Sequence, residues 1–383
     1  MDFTFNQEQQ QFADALRRWA DKDYRFEARQ AIIHSSSGTS DAAWATLAEL
    51  GMTALPLPAE QGGFDGTAVD MLLVMQELGR ALVVEPYFAT VFGARFLTLG
   101  GGHQAVLEQV AEGNVKLACA LGEAQSRHAL HDIATIATGS GSGNGFVLDG
   151  TKTVVIHGAQ ARHLIVSARS SGEQRDTDGI SLFLLPADTP GVTVRDYRTI
   201  DGQRAATVTL VQVVLGSEAL IGQAGKGWEI LDAAADYGAT LLCAEAVGAM
   251  DAIFAATLDY LKTRQQFGAP IGKFQALQHR MADMFIHLEQ ARSMAMLAAA
   301  RVDQAEPVER RRIVSAAKAR VGQAATFVGQ QAVQLHGGMG VTDELPAAHH
   351  FKRLTMIGLT LGDAEHHVER FIAQPGFLPS ETA

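Results

Sequence analysis

Cysteine is nearly absent from this chain: among 383 residues only Cys119 and Cys243 occur. Both lie inside apolar runs, which excludes a disulfide framework or a CxxC site and makes them read as small buried hydrophobes. That scarcity fits a reducing, intracellular setting, and a cytoplasmic location is expected. Basic charge is also in short supply, with 31 Lys and Arg against 42 Asp and Glu and a net charge of -11. This excludes a general surface for nucleic acid or anionic membrane, so any anionic ligand must be met locally. Residues 1–20 mix acids, amides and arginines with Phe and Trp and lack the charged-then-apolar order of a signal peptide. No stretch reads as apolar enough to span a bilayer, so no membrane partner is expected. The 47% hydrophobic content excludes disorder, and the length calls for two or three domains.

What is present changes period twice along the chain. From Gln7 to about Gly102 the apolar residues recur at helical spacing, as in Phe12, Leu16 and Trp19, or Met71, Leu72, Met75, Leu78 and Leu82. Pro56, Pro58 and the run Gly62-Gly63-Phe64-Asp65-Gly66 interrupt this as an exposed loop. Between Leu117 and Gly227 short runs of Val, Ile, Leu and Thr alternate with Gly, Asp and Asn, and predict strands at 145–156, 163–168, 180–185 and 207–214. Gly139 to Gly145 reads as a flexible hairpin turn. Long helices return over 228–264, 275–301 and 308–336, with Pro307 as a break, and their length implies a bundle. The predicted domains are 1–116 (helical), 117–227 (β) and 228–383 (helical bundle), an α+β chain.

Two phrases carry the chemistry. One is Arg264-Gln265-Gln266-Phe267-Gly268-Ala269-Pro270-Ile271-Gly272, and the other is Gln334-Leu335-His336-Gly337-Gly338-Met339-Gly340. Each follows a long Ala-rich helix, where a guanidinium fork and side-chain-free backbone can face a phosphate-bearing ligand. An Arg at a helix C-terminus is equally favoured by the helix dipole, and a Gly-Gly after a helix is commonly only a cap. Together the phrases resemble the acyl-CoA dehydrogenase flavoprotein family over nearly the whole chain, and the second half resembles the small subunit of pimeloyl-CoA-type enzymes. The resemblance implies an N-terminal helical domain, a middle β-barrel domain and a C-terminal four-helix bundle. It implies FAD as cofactor, with Arg264 on the pyrophosphate, usually of a neighbouring subunit. Phe267, Gln275, Leu277, Gln334, Gly337 and Gly338 complete the implied FAD contacts. Further implications are an acyl-CoA substrate, an electron-transfer flavoprotein as acceptor and a homo- or hetero-oligomer.

The same resemblance exposes departures. Where the family has an aromatic and a hydroxyl beside the flavin ring, this chain reads Lys152-Thr153-Val154-Val155-Ile156-His157-Gly158. Of the Thr-Glu-Pro-Gly-type phrase only Glu123 remains. Acyl-CoA dehydrogenation needs a carboxylate to take the α-proton of the thioester. The two family positions for that base are occupied by Leu361 and Gly238, and neither side chain accepts a proton. Substitutes are Asp363, Glu365 and Glu245. Glu245 lies seven residues past Gly238, about 10 Å along a helix axis. Asp363 also reads as a helix N-cap, or as one end of an i,i+4 pair with His367. His349 and His350 point to different helical faces, so no metal site is expected.

Three readings follow. The chain is the small subunit of a hetero-oligomer, completing a partner's flavin site. Alternatively it is a self-sufficient acyl-CoA dehydrogenase or oxidase with a relocated base, or a scaffold that has lost flavin. Val83, Tyr87, Phe88 and Leu242 are candidate pocket residues, and Arg127, His128 and Arg204 are exposed-loop candidates for CoA phosphates.

Overall fold

The computed structural model describes residues 5–139 and 145–376; residues 140–144 of the expected Gly139–Gly145 turn lie outside them. Helices come first: α1 (Gln7–Asp23), α2 (Phe26–His34), α3 (Asp41–Glu49), α4 (Ala68–Ala81), α5 (Tyr87–Gly100) and α6 (Gln104–Ala111). Strands follow as β1 (Leu117–Ala120), β2 (Ile136–Gly139), β3 (Gly145–Ile156), β4 (His163–Arg169), β5 (Ile180–Pro186), β6 (Val192–Arg198), β7 (Arg204–Gly216) and β8 (Leu220–Ile221). Then come α7 (Trp228–Thr263), a hairpin of β9 (Gln265–Gln266) and β10 (Ala269–Pro270), α8 (Gln275–Arg301), α9 (Pro307–His336), α10 (Pro346–Leu359) and α11 (Ala364–Ile372). The chain divides into two compact units. The first comprises Met1–Gln30, Thr67–Val83 and Ala239–Ala383, and the second Ala31–Gly66 and Val84–Gly238.

In the second unit the strands form one sheet in the order β6-β7-β3-β2-β4-β5-β8, with β1 added in parallel beside β4. Among the described residues this order runs from β6 at one end to β8 at the other. Alternation on β3, β4, β5 and β7 sends Leu148, Leu164, Val166, Phe183, Leu185, Val208 and Leu210 into one core, which is why these runs pair as strands. β3 slips register against β7 between Lys152 and Val155. The displaced residue there is Val154, exposed and at φ 53°, a region that a β-branched residue rarely enters.

In the first unit α9 packs against α8, α10 and α11, and α4 packs against α1 and α8. Pro307 opens α9 at its first turn, where a missing N–H costs nothing. Two glycines let α4 and α7 meet backbone to backbone: a Cβ on Gly79 would lie 2.1 Å from the Glu245 carbonyl oxygen, and one on Gly248 1.8 Å from that of Gln76.

One expectation is corrected here. α7 is long and apolar enough to cross a membrane by length and composition. Its apolar window is 67% buried inside the fold, because a central helix needs apolar residues on every face that meets a neighbour. Of the two cysteines, Cys243 is buried as expected, whereas Cys119 is only half-buried.

Candidate functional site

The residues of the two long phrases gather at one end of the α7, α8 and α9 helices. α7 stops at Thr263, and Arg264 is held at the junction, its N–H donating to Tyr260 O (2.9 Å) and its carbonyl accepting from Ile271 N (2.9 Å). Tyr260 stacks on His336, centroids 4.6 Å apart, which sets the end of α7 beside the end of α9. Arg280 Nη1 donates to Gln331 Oε1 (3.1 Å), which ties the start of α8 to the same end of α9. Gln275 opens α8 with Leu277 two residues in, Gln334 lies in the last turn of α9, and Gly337 and Gly338 follow its end. Arg264, Gln275 and Gln334 are exposed, and their side chains have no hydrogen-bond or ion-pair partner among the described residues.

Local conformation explains much of this edge. The segment after Arg264 is a two-residue β-hairpin rather than a helix cap, with Phe267 (φ 54°) and Gly268 (φ 76°) both left-handed, as a type I′ turn requires. A phenylalanine that is 90% exposed in that conformation is disfavoured twice over. Gly337, at φ 62°, needs glycine for its backbone. Gly338 does not: its φ is ordinary and nothing lies within 4 Å of an added Cβ. Folding of this chain alone therefore leaves the absence of a side chain at 338 unexplained. A guanidinium, two amides and open glycine backbone fit the phosphate and sugar half of a dinucleotide such as FAD.

The second pair of phrases meets inside the sheet unit. Thr153 N donates to Gly122 O (2.8 Å), placing the Val154–Ile156 segment beside the Gly122–Glu123 loop. Lys152, fully buried, donates to Glu123 Oε1 (2.6 Å) and Ser167 Oγ (3.1 Å). Glu123 also accepts from the N–H groups of Ala134 (2.8 Å) and Thr135 (3.1 Å) and from Gln125 Nε2 (2.8 Å). Burial pushes its pKa up, but the Lys152 charge and the hydrogen bonds from Lys152, Gln125 and Thr135 outweigh this and hold it below the usual carboxylate value. Burial takes Lys152 down to about 8 against the pull of Glu123.

The carboxylates considered as bases fall into different environments. Glu245 is buried with both oxygens taken by Arg353, at 2.6 and 2.8 Å, so its charge is matched inside the fold. Asp363 caps α11 by accepting from His366 N (2.9 Å). Glu365 is exposed. Leu361 sits at φ 56° in a turn gripped through its carbonyls. Lys318 Nζ donates to Ile357 O (2.9 Å) and Gly362 O (2.8 Å), and His367 Nε2 donates to Leu361 O (2.9 Å). Burial, then the charge of Lys318, takes His367 down to about 2, so its ring is neutral and Nε2 carries the proton. Burial takes Lys318 to about 8. Gly238 is a buried position in α7. Among the described residues no group of three or more His, Cys, Asp or Glu is placed to hold a metal.

Other expectations shift. Arg204 is not an exposed-loop residue: it begins β7, pairs with Asp196 and is 17% exposed at its side chain. Arg127 is exposed and left-handed at φ 46°. His128 and Phe88 on α5 are half-buried, while Val83, Tyr87 and Leu242 are buried. Sequence reasoning passed over Asp232 and Asp236, which are 3% and 1% exposed, one helical turn apart on α7 and just before Gly238. Two acids inside an apolar helix were the available signal.

Helices, then one sheet, then long helices is the acyl-CoA dehydrogenase fold. Three models of that family match successive stretches: its N-terminal domain over residues 6–122, its middle domain over 118–213 and its C-terminal domain over 225–374. The chain belongs to the acyl-CoA dehydrogenase family, oxidoreductases that act on CH–CH bonds. It is 28% identical over 381 residues to the probable acyl-CoA dehydrogenase YngJ of Bacillus subtilis, covering 97% of this chain and 98% of the relative. It is similar in structure to butyryl-CoA dehydrogenase from Megasphaera elsdenii, with a TM-score of 0.86, 26% identity and coverage of 97% and 98% of the two chains. A variant of the Tcur3481-Tcur3483 steroid ACAD gives a TM-score of 0.86 at 28% identity, covering 95% and 96%.

Proposed function

We propose that this chain is the small subunit of an FAD-dependent acyl-CoA dehydrogenase, in which Leu361 and Gly238 stand at the positions of the base and a homologous large subunit supplies the carboxylate. The flavin, when bound, takes the hydride from the β-carbon of the acyl thioester. This chain's part is to hold the cofactor: Arg264 faces the pyrophosphate, Gln275 and Leu277 the adenine half, and Gln334, Gly337 and Gly338 offer an amide and bare backbone. Phe267 extends this edge from the hairpin tip. An electron-transfer flavoprotein receives the electrons, and a dicarboxylyl-CoA is the substrate class proposed.

The observation that carries this reading is the contrast between the two regions. The bundle end keeps three unengaged polar side chains and an open Gly338, features that the fold itself does not require. Two of the candidate bases are otherwise occupied, Glu245 in a closed ion pair with Arg353 and Asp363 as a helix cap, while Glu365 is exposed on α11. A structural relative whose name joins two gene products, the steroid ACAD above, supports a two-subunit assembly.

The test is an absorbance spectrum of the chain purified alone and with the homologous subunit, followed by anaerobic addition of a dicarboxylyl-CoA. Flavin bleaching only when the homologue is present is the expected result. Bleaching by this chain alone would replace the supporting-subunit reading with a self-sufficient enzyme. A colourless protein in both preparations would overturn the cofactor assignment.

A further inference from the structure

The turn between α10 and α11 carries Leu361 at φ 56°, a region that a residue with a side chain enters at a penalty. Three carbonyls around it are held by side chains buried in the first unit. From α9, Lys318 Nζ donates to Ile357 O (2.9 Å) and Gly362 O (2.8 Å). From α11, His367 Nε2 donates to Leu361 O (2.9 Å). Ser315 on α9 backs that contact: its hydroxyl lies 3.4 Å from His367 Nδ1 and accepts from Arg370 Nη1 (3.1 Å). Gly362, at φ 107°, completes the turn where an added Cβ would lie 2.7 Å from His367 Nε2.

Stability alone does not account for Lys318. It is 1% exposed, and its hydrogen bonds go to main-chain oxygens rather than to a carboxylate. Burial takes it down to about 8, although Cys243 on α7 and Asp363 at the N-cap of α11 act in the opposite sense. Such a shift marks a charge that the fold holds at a cost. Ile357 lies in the last turn of α10, whose open carbonyls water could satisfy if the following turn were splayed into solvent. A buried lysine there takes the place of that water and closes the turn against α9.

We propose that Lys318, seconded by His367, is a positioning residue: it locks the backbone at 361 in its left-handed conformation, so that the side chain there keeps one direction. The inference rests on the proposed function only in taking 361 as the position of the base. With leucine at 361 the lock is still in place and carries no carboxylate. Lys318 acts on that position through the carbonyls on either side of it, at 357 and 362, without touching the side chain that would take the proton.

The test uses the intact, cofactor-free chain and reads hydrogen exchange over residues 360–363 together with the Leu361 methyl resonances. Lys318→Met should lower the protection of those amides about tenfold or more, well beyond any change in α8, and should shift the Leu361 methyls. Adding Leu361→Gly should restore protection, since glycine takes a positive φ without penalty; a lysine that only filled the core would not be rescued from position 361. His367→Phe removes the bond to Leu361 O with Lys318 in place, so it reads the same turn if Lys318→Met does not fold, and it should give the same local loss. Unchanged protection at 360–363, a loss equal to that in α8, or no rescue by Leu361→Gly would overturn the positioning role. In a Leu361→Glu background, Lys318→Met should also remove the gain in anaerobic flavin bleaching. A colourless protein would end that arm together with the proposed function, whereas the exchange experiment, read without flavin, still decides the role of Lys318.

Discussion

Replacing Lys152 with Met would strand Glu123 as an unpaired charge inside the sheet unit. The carboxylate is buried, and the ammonium 2.6 Å away is its only ionic partner among the bonds described above. Removing one member of a buried pair costs about 3–5 kcal/mol. Three other donors stay on Glu123, two from backbone and one from Gln125, so the lower end, about 3 kcal/mol, is expected. Met fills most of the volume of the lysine stem, which keeps a packing defect out of the comparison. The sign with pH follows from Glu123. Its folded pKa is depressed, so in the native protein its contribution is present above the unfolded value of about 4.3 and lost as pH falls through the lower folded value. In Lys152→Met burial dominates and the folded pKa rises, so the penalty is largest near neutral pH and shrinks as acid protonates Glu123. Denaturant midpoints followed by far-UV circular dichroism at about pH 7 and about pH 5 would show this. Adding Glu123→Gln to Lys152→Met removes the stranded charge and should restore at least half of the loss. A loss under about 1 kcal/mol, or one equal at both pH values, would refute a buried, charged pair.

Arg264→Ala should weaken flavin retention by about 1.5–3 kcal/mol, roughly ten- to a hundredfold, through loss of a charge-assisted contact; flavin occupancy of the purified oligomer measures it, and unchanged occupancy would remove Arg264 from the site. Gly338→Ala separates folding from binding. With ordinary φ and open space around the new Cβ, the melting temperature of the cofactor-free protein should not move, whereas flavin occupancy should fall. Leu361→Glu adds a carboxylate where Leu361 already holds its left-handed conformation in a turn gripped by Lys318 and His367. Anaerobic bleaching by an acyl-CoA should rise in this variant, and none in any oligomeric state would reject a site lacking only its base.

The order of helices and strands was legible because periodicity is local. Gln275 to Arg301 and Gly145 to Ile156 emerge with the bounds that their apolar spacing implies. Arg264 and the Gly337-Gly338 pair were equally visible as candidates, since punctuation after a long helix is written in adjacent residues. What the carboxylates do was not. Glu245 is engaged by Arg353, 108 positions away, and the carbonyls around Leu361 are held by Lys318, about forty positions earlier. The hairpin tip at Phe267 defied its own propensities. α7, apolar enough for a bilayer, became a core helix only because other elements cover it. Sequence thus determined the elements, the family and the residues available for a cofactor. Which charges are paired, which donors remain open and which apolar faces are buried were decided by packing, because each depends on partners that local pattern does not specify.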